Sequence, residues 1–380
     1  SGPVHSGSMC MAPPAHALAS LGLEPEVQLR GSGASKRVYS GRVAATNEPV
    51  ALVSAPNDTY ERENEVFIRL GNVPPHPSLV LARAACTVGA CTYYIADLLV
   101  ADLFDLITDG GVPGEQRVLG LVSQLLSGMV FMHRLGVAHL DLKFENIGID
   151  AAGRVRIFDF DISMLAVPLL HPKPALERPR RLGTKSYRAP EMWLADEETP
   201  CDPYKADIWS MGVVVFSLLF GFFPFDVARP SDRRFVVARY AQATNQSTLA
   251  ALIGMYPGNQ EAANTLAGLS GRTRNILEGM LTIAPEQRAS LEALAALLPA
   301  QLQAEFRAVA SDFNPTAPEA WKLRDGVAFR DLNVTCCLLF RSLDDGGSAE
   351  EPTKTESIDE LSKCPLVPPR IVRQNVEAVA

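Results

Sequence analysis

The chain has 380 residues, 47% of them hydrophobic and 21% charged, which are globular values and exclude a fully disordered or fibrous protein. Its 35 Lys and Arg against 43 Asp and Glu leave a net charge of −8, the opposite of the basic excess expected of a dedicated nucleic-acid binder. The length suits about two domains, or one large two-lobed one.

Seven cysteines are scattered along the chain with no C-x-x-C spacing. They predict neither a disulfide framework nor a zinc site, so a reducing, cytoplasmic location is expected. Ser1 to Ser8 reads as an expression scar, and Met11 to Leu23 is mildly apolar but lacks the positive start of a secretory leader. Residues 1–23 are therefore set aside as an extension.

Short β-like runs follow at Gln28 to Arg30, Arg37 to Ser40, Pro49 to Val53 and Ala90 to Leu99. Between the last two, Asp58 precedes Glu61 by three residues, which predicts a capping box and a helix reaching about Leu70, with Gly71 as its stop. From Glu115 the period becomes helical, with Leu119, Val122, Leu125, Leu126 and Met129 on one face. Most of 115–310 reads as helices and loops. The apolar run Ile208 to Phe225 has 18 residues and carries Ser, Gly and Pro. It falls short of the roughly 20 residues of a membrane span, so it reads as a buried helix and no membrane partner is expected.

This order predicts an α+β protein of two lobes with a cleft between them. The N-lobe, 24–99, is small and β-rich with one helix; the C-lobe, 100–305, is larger and mostly helical. Residues 306–380 form a C-terminal extension, a possible docking place for a regulatory partner. Within it 344–358 is polar and expected to be disordered, and 328–343 could add a strand or helix to the body.

Two motifs carry chemistry. Gly31-Ser32-Gly33 lies between two predicted strands, where backbone N–H groups can approach phosphate oxygens with no Cβ in the way. Alone it equally fits an ordinary hairpin turn. The stronger signal is His139-Leu140-Asp141-Leu142-Lys143-Phe144-Glu145-Asn146, followed after a hairpin-like turn at Asp150 to Gly153 by Asp159-Phe160-Asp161. Phosphoryl transfer needs a carboxylate to orient an attacking hydroxyl, an ammonium near the moving group, and Asn and Asp oxygens for Mg²⁺. Asp141, Lys143, Asn146 and Asp159 supply these in that order.

With these residues the sequence resembles the eukaryotic protein kinases over about residues 24–300. Gly183 to Glu191 is similar to the end of the family's activation segment, and Asp207 to Gly212 to the start of its central buried helix. Arg288 matches the arginine that pairs with the acidic residue here numbered Glu191, and Lys143 and Thr184 match the Ser/Thr-specific branch. The resemblance implies transfer of the γ-phosphoryl group of ATP, with Mg²⁺, to Ser/Thr hydroxyls of protein substrates. It implies Asp141 and Lys143 as catalytic residues and Asn146 and Asp159 as metal ligands. Gly31, Gly33, Val38 and Ala51 would lie about the nucleotide, and backbone groups at Asp97 and Leu99 would bond adenine, with Ala96 behind them.

The chain departs from the family at four positions. Where the family has a third-strand lysine that grips phosphates, Val50-Ala51-Leu52-Val53 ends in Val53, which invites a second reading: a pseudokinase that scaffolds or regulates a partner. Lys36, however, replaces the third loop glycine. Two residues before Val38, it shares that residue's face and should point into the cleft about 7 Å nearer the phosphates. This swap is similar to that of the with-no-lysine kinases; a solvated loop charge is the plainer alternative. Lys36 needs an acidic helix partner, for which Glu65 fits best, with Glu61 and Glu63 behind it. Leu140 stands where an arginine normally binds a phosphorylated activation loop, so activity without such phosphorylation is expected. Asp161 replaces a glycine, and either brings a second carboxylate to the metal site or faces a backbone amide.

Overall fold

The computed structural model describes residues 12–33, 35–165, 183–194 and 201–311. The expectations for residues 1–11, and for the tail from 312 on, lie outside them.

The first described helix, α1 (Ala15–Ser20), leads into a five-stranded antiparallel sheet: β1 (Gln28–Ser32), β2 (Arg37–Arg42), β3 (Pro49–Pro56), β4 (Ala84–Val88) and β5 (Cys91–Asp97), in the order β1-β2-β3-β5-β4. The run Val50 to Val53 lacks polar alternation because β3 is covered on both faces. Val50 and Leu52 join Tyr39, Tyr93, Ile95 and the α1 residues Ala17 and Leu18 in a small core on one side. Val53 and Ala55 join the main core on the other. Residues 15–23, expected to lie outside the lobe, thus pack onto it.

Helix α2 (Asn57–Gly71) crosses the inner face of the sheet. It begins one residue before the expected cap, and no side chain caps it; Asp58 instead sits in its first turn, where a carboxylate suits the positive end of the helix. Thr59, Glu63, Val66, Phe67 and Leu70 are its buried residues.

The chain then crosses to the second lobe through β6 (Ala101–Asp102), α3 (Leu103–Gly110) and α4 (Glu115–Arg134), where Leu119, Val122, Leu125, Leu126 and Met129 are all buried as the helical period predicts. Three short strands follow, β7 (Val137–Ala138), β8 (Ile147–Ile149) and β9 (Val155–Ile157), the last two closing the predicted hairpin at Asp150 to Gly153. After β10 (Met164–Leu165) and α5 (Glu191–Leu194) comes α6 (Pro203–Phe220), buried nearly throughout, as the apolar run beginning at Ile208 implies. Helices α7 (Arg233–Ala243), α8 (Thr248–Gly254), α9 (Gln260–Gly268), α10 (Gly271–Met280), α11 (Leu291–Ala296) and α12 (Ala300–Ser311) complete the lobe. Arg288 makes a paired contact with Glu191, 2.7 Å and 3.0 Å, tying the α10–α11 connection to α5.

No described helix is long and apolar enough to cross a membrane. Cys86 and Cys201 lie outside any disulfide, but Cys91 is disulfide-bonded, a bond that the scattered cysteines did not predict. Spacing along a chain does not reveal which thiols a fold brings together.

Candidate active site

The catalytic segment, 139–146, runs from β7 to β8 along the cleft floor. Its backbone hangs from one carboxylate. Asp207, fully buried near the start of α6, accepts hydrogen bonds from His139 N–H at 2.8 Å, Leu140 N–H at 2.7 Å and the His133 ring at 2.9 Å. Leu140 adopts a left-handed φ of 64°. That conformation costs a non-glycine residue roughly 1–2 kcal/mol, less than two bonds to a buried carboxylate return at about 1.5–3 kcal/mol each. The Leu140 side chain, in the family's arginine position, is buried in the main core.

The strained turn presents Asp141. Lys143 Nζ lies 2.7 Å from Asp141 Oδ2, and Asn146 Nδ2 donates to the same carboxylate at 3.2 Å and to the Asp141 carbonyl at 3.0 Å. Thr184 donates to Asp141 Oδ1 through both its hydroxyl and its N–H, each at 2.9 Å, and its hydroxyl accepts from Lys143 at 3.2 Å. Gly183, at φ +81°, brings Thr184 in; a Cβ there would run into the Leu140 carbonyl oxygen. Burial opposes the Lys143 ammonium, but Asp141, with Asp159 and Glu145 further off, raises its pKa above the usual value.

The opposite wall carries Lys36. From the turn between β1 and β2, closed by the Gly33 N–H to the Lys36 carbonyl at 2.8 Å, its side chain reaches into the cleft with 13% exposure. Its ammonium lies 2.9 Å from Glu63 Oε2, 2.8 Å from Asp159 Oδ1 and against the Asp161 carboxylate. Burial works against this charge, yet Asp159, Tyr94, Glu63 and Asp161 together hold its pKa well above the ordinary lysine value. Asp159 is kept below its usual range despite its burial, chiefly by Lys36. Asp161 moves the other way: burial, with Asp159 and Glu63 beside it, pushes it to about 7 against the pull of Lys36. Facing Lys36 rather than a backbone amide, Asp161 has no need of a glycine's dihedrals, since its φ is not among the positive ones of the described residues.

The helix partner of Lys36 is Glu63, not Glu65. Glu63 is 1% exposed and also accepts from the Tyr94 hydroxyl at 2.9 Å and from Phe160 N–H at 3.1 Å, whereas Glu65 is exposed. The physical reason is helical phase. Residue 63 shares a face with Val66, Phe67 and Leu70, and residue 65 is turned about 200° from it, at roughly 100° per residue. Phe160 in turn meets Phe67 edge-on and the His139 ring at a tilt, with ring centroids 6.0 Å and 5.4 Å away, so the helix, the Asp159-Phe160-Asp161 turn and the 139–146 segment are packed together.

The residues proposed to surround the nucleotide fall into place unevenly. Val38 pairs with Val53 across β2 and β3 and packs on the main core, while Ala51 pairs with Ala96 across β3 and β5. Gly31 and Gly33 are exposed at the loop. Leu99 fills the space left by Gly148, where a Cβ would collide with it. The Asp97 carboxylate is gripped by Arg83 at 2.9 Å and by Arg156, 59 residues further on. No signal in the local sequence foretells that second partner.

Carboxylate oxygens of Glu63, Asp159 and Asp161 lie within 4.8 Å of one another, a spacing that could hold a metal ion, but the Lys36 ammonium contacts all three. Asn146 spends its amide N–H groups on Asp141, so its oxygen is the atom it can offer.

A five-stranded lobe with one inner helix, facing a helical lobe across a cleft lined by Asp141, Lys143, Asn146 and Asp159, defines a protein-kinase-like phosphoryl-transfer scaffold. The protein kinase domain family matches residues 26–297, and the chain belongs to that family. It is 33% identical over 201 residues to a putative CBL-interacting protein kinase 27 of Oryza sativa subsp. japonica, covering 51% of this chain and 48% of the relative. Over 209 residues it is 32% identical to CBL-interacting serine/threonine-protein kinase 17 of Arabidopsis thaliana, covering 52% and 46%. A putative sperm motility kinase W of Mus musculus is 28% identical over 223 residues, covering 57% and 38%. The chain thus spans about half or less of the length of these relatives.

Proposed function

We propose that this chain is an active protein serine/threonine kinase in which Lys36, arriving from the glycine loop, performs the phosphate-gripping role that Val53 cannot. One observation carries the reading: the Lys36 ammonium meets Glu63, a buried helix carboxylate, and Asp159 inside the cleft. A lysine serving only as a solvated loop charge would have no reason to bear the cost of leaving water.

In this reading Asp141 orients the hydroxyl of a Ser or Thr substrate and takes its proton, with Lys143 and Thr184 fixing the carboxylate. Lys143 faces the charge that develops on the transferred group. Asn146 and Asp159 would hold Mg²⁺, which would neutralise the phosphates of ATP. Val38 and Ala51 flank the adenine, and backbone groups at Asp97 and Leu99 recognise its edge. Catalysis rests on positioning and electrostatics.

The activation segment supports activity without its own phosphorylation. Between Asp159 and Glu191 the hydroxyls are Ser163, Thr184, Ser186 and Tyr187. Ser163 donates to the His139 carbonyl at 3.2 Å, Thr184 serves Asp141, and Ser186 and Tyr187 are buried. Leu140 offers no cation for a phosphate. The names of the plant relatives suggest a regulatory protein partner, for which the C-terminal extension is the candidate region.

The test is transfer of labelled γ-phosphate to a protein substrate by the wild type beside Asp141→Asn. Transfer lost in the variant supports the reading. Nucleotide-dependent thermal stabilisation without any transfer would instead make the chain a nucleotide-binding regulator.

A further inference from the structure

We propose that Asp161 is a positioning residue, coupled to the displaced lysine, that holds the Lys36 ammonium at the phosphate end of the cleft. The inference rests on the reading of Lys36 given above.

A lysine in a central strand such as β3 starts from backbone fixed on both sides by neighbouring strands. Lys36 starts from a hairpin tip: Gly33 and Ser35 are exposed, and ladder pairing between β1 and β2 ends at Ser32 and Arg37. A long side chain on such a base loses backbone as well as rotamer freedom when it is fixed. One helix carboxylate is then a thin anchor, the more so because Glu63 is shared among Lys36, Tyr94 and Phe160 N–H.

The remaining carboxylates at Lys36 are Asp159 and Asp161. Asp159 is the residue proposed to hold metal, so its hold on the lysine is the one that loading the site weakens. Asp161 is left to share the ammonium with Glu63. Its position suits this task for a geometric reason. A lysine arriving from the loop meets the Asp159-Phe160-Asp161 turn, and a carboxylate in place of the family's glycine lies at the point of contact. The departures at positions 36, 53 and 161 are on this account one change, and Asp161 belongs to the lysine rather than to the metal.

The coupling is measurable. In the full chain, Asp161→Gly and Asp161→Asn should raise the KM for ATP about tenfold with a smaller change in kcat, and Asp161→Glu should recover most of the loss. The decisive arm measures displacement of a fluorescent ATP analogue, with Mg²⁺, from four proteins: wild type, Asp161→Gly, Lys36→Met and the double variant. Asp161→Gly is expected to weaken binding about tenfold when Lys36 is present and less than twofold in the Lys36→Met background. Equal weakening in both backgrounds would overturn the proposal, because Asp161 would then act through the metal or the fold. So would tighter binding or faster turnover in Asp161→Gly, which would mark Asp161 as a competitor of phosphate. Lys36→Met with wild-type binding and turnover would sink the reading of Lys36 itself, a result separate from either of these. Thermal unfolding of each variant, matched to wild type, excludes loss of fold as the cause.

Discussion

On the floor of the cleft Asp141 is fixed by a lysine, a threonine and an asparagine, and the backbone beneath it hangs from Asp207. On the roof a single ammonium from a hairpin tip stands among three carboxylates. The floor sets one carboxylate against one ammonium and adds neutral donors from Thr184 and Asn146, and it starts from buried backbone. The roof is built almost wholly from charge and starts from an exposed turn. Buried charges are costly unless paired, so the roof holds its geometry only while the Lys36 ammonium stands among its carboxylates, whereas the floor is held by a wider set of bonds.

The largest effect that separates the two walls is expected at Asp207. Asp207→Ala leaves the buried N–H groups of His139 and Leu140 without their acceptor and should cost about 3–5 kcal/mol, seen in denaturant unfolding. A cost below 1 kcal/mol would mean that the left-handed turn at Leu140 holds itself.

A second effect tests the anchoring around the floor by pH. Ser78 N–H donates to His76 Nδ1 at 3.0 Å, so the ring proton sits on Nε2, 3.1 Å from the Ser127 hydroxyl. Burial, with Arg156 adding to it, lowers the His76 pKa from 6.5 to about 4. The folded state therefore favours the neutral ring, and the unfolded state takes up a proton first as pH falls. The stabilisation is complete above about pH 6.5 and lost as pH drops toward 4, by about 3 kcal/mol at about 1.36 kcal/mol per pKa unit. Urea unfolding across that window should show the slope in wild type and a flatter one in His76→Gln; identical slopes would contradict the assignment.

The third effect is smaller and belongs to the roof. Glu63→Gln should lower kcat/KM about 10- to 100-fold, the loss expected when charge-assisted bonds worth about 1.5–3 kcal/mol are weakened. Glu65→Gln should lie within twofold of wild type. Equal losses in both would argue that α2 rather than one of its carboxylates is being probed.

Much of this was legible in the sequence. The Asp141 to Asp161 stretch is local, so spacing alone carries its order, and the apolar periods of α4 and α6 locate buried helices directly. The direction of Lys36 follows from strand alternation through Val38. Glu63 was legible in principle, since its helical phase with Val66 and Leu70 was available, but proximity along the chain to apolar neighbours pointed to Glu65. The grip of Arg83 and Arg156 on Asp97, and of Asp207 on the catalytic segment, join residues far apart in sequence, and no local pattern encodes them. The same holds for α1, whose Ala17 and Leu18 show their purpose only beside Leu52 and Tyr93.

The central claim is that the ammonium serving the phosphates comes from position 36. It is tested most directly by labelled-phosphate transfer by Lys36→Met, with folding checked by its unfolding transition. The account predicts that transfer falls to the background of Asp141→Asn while the fold persists. Turnover near that of the wild type would contradict it.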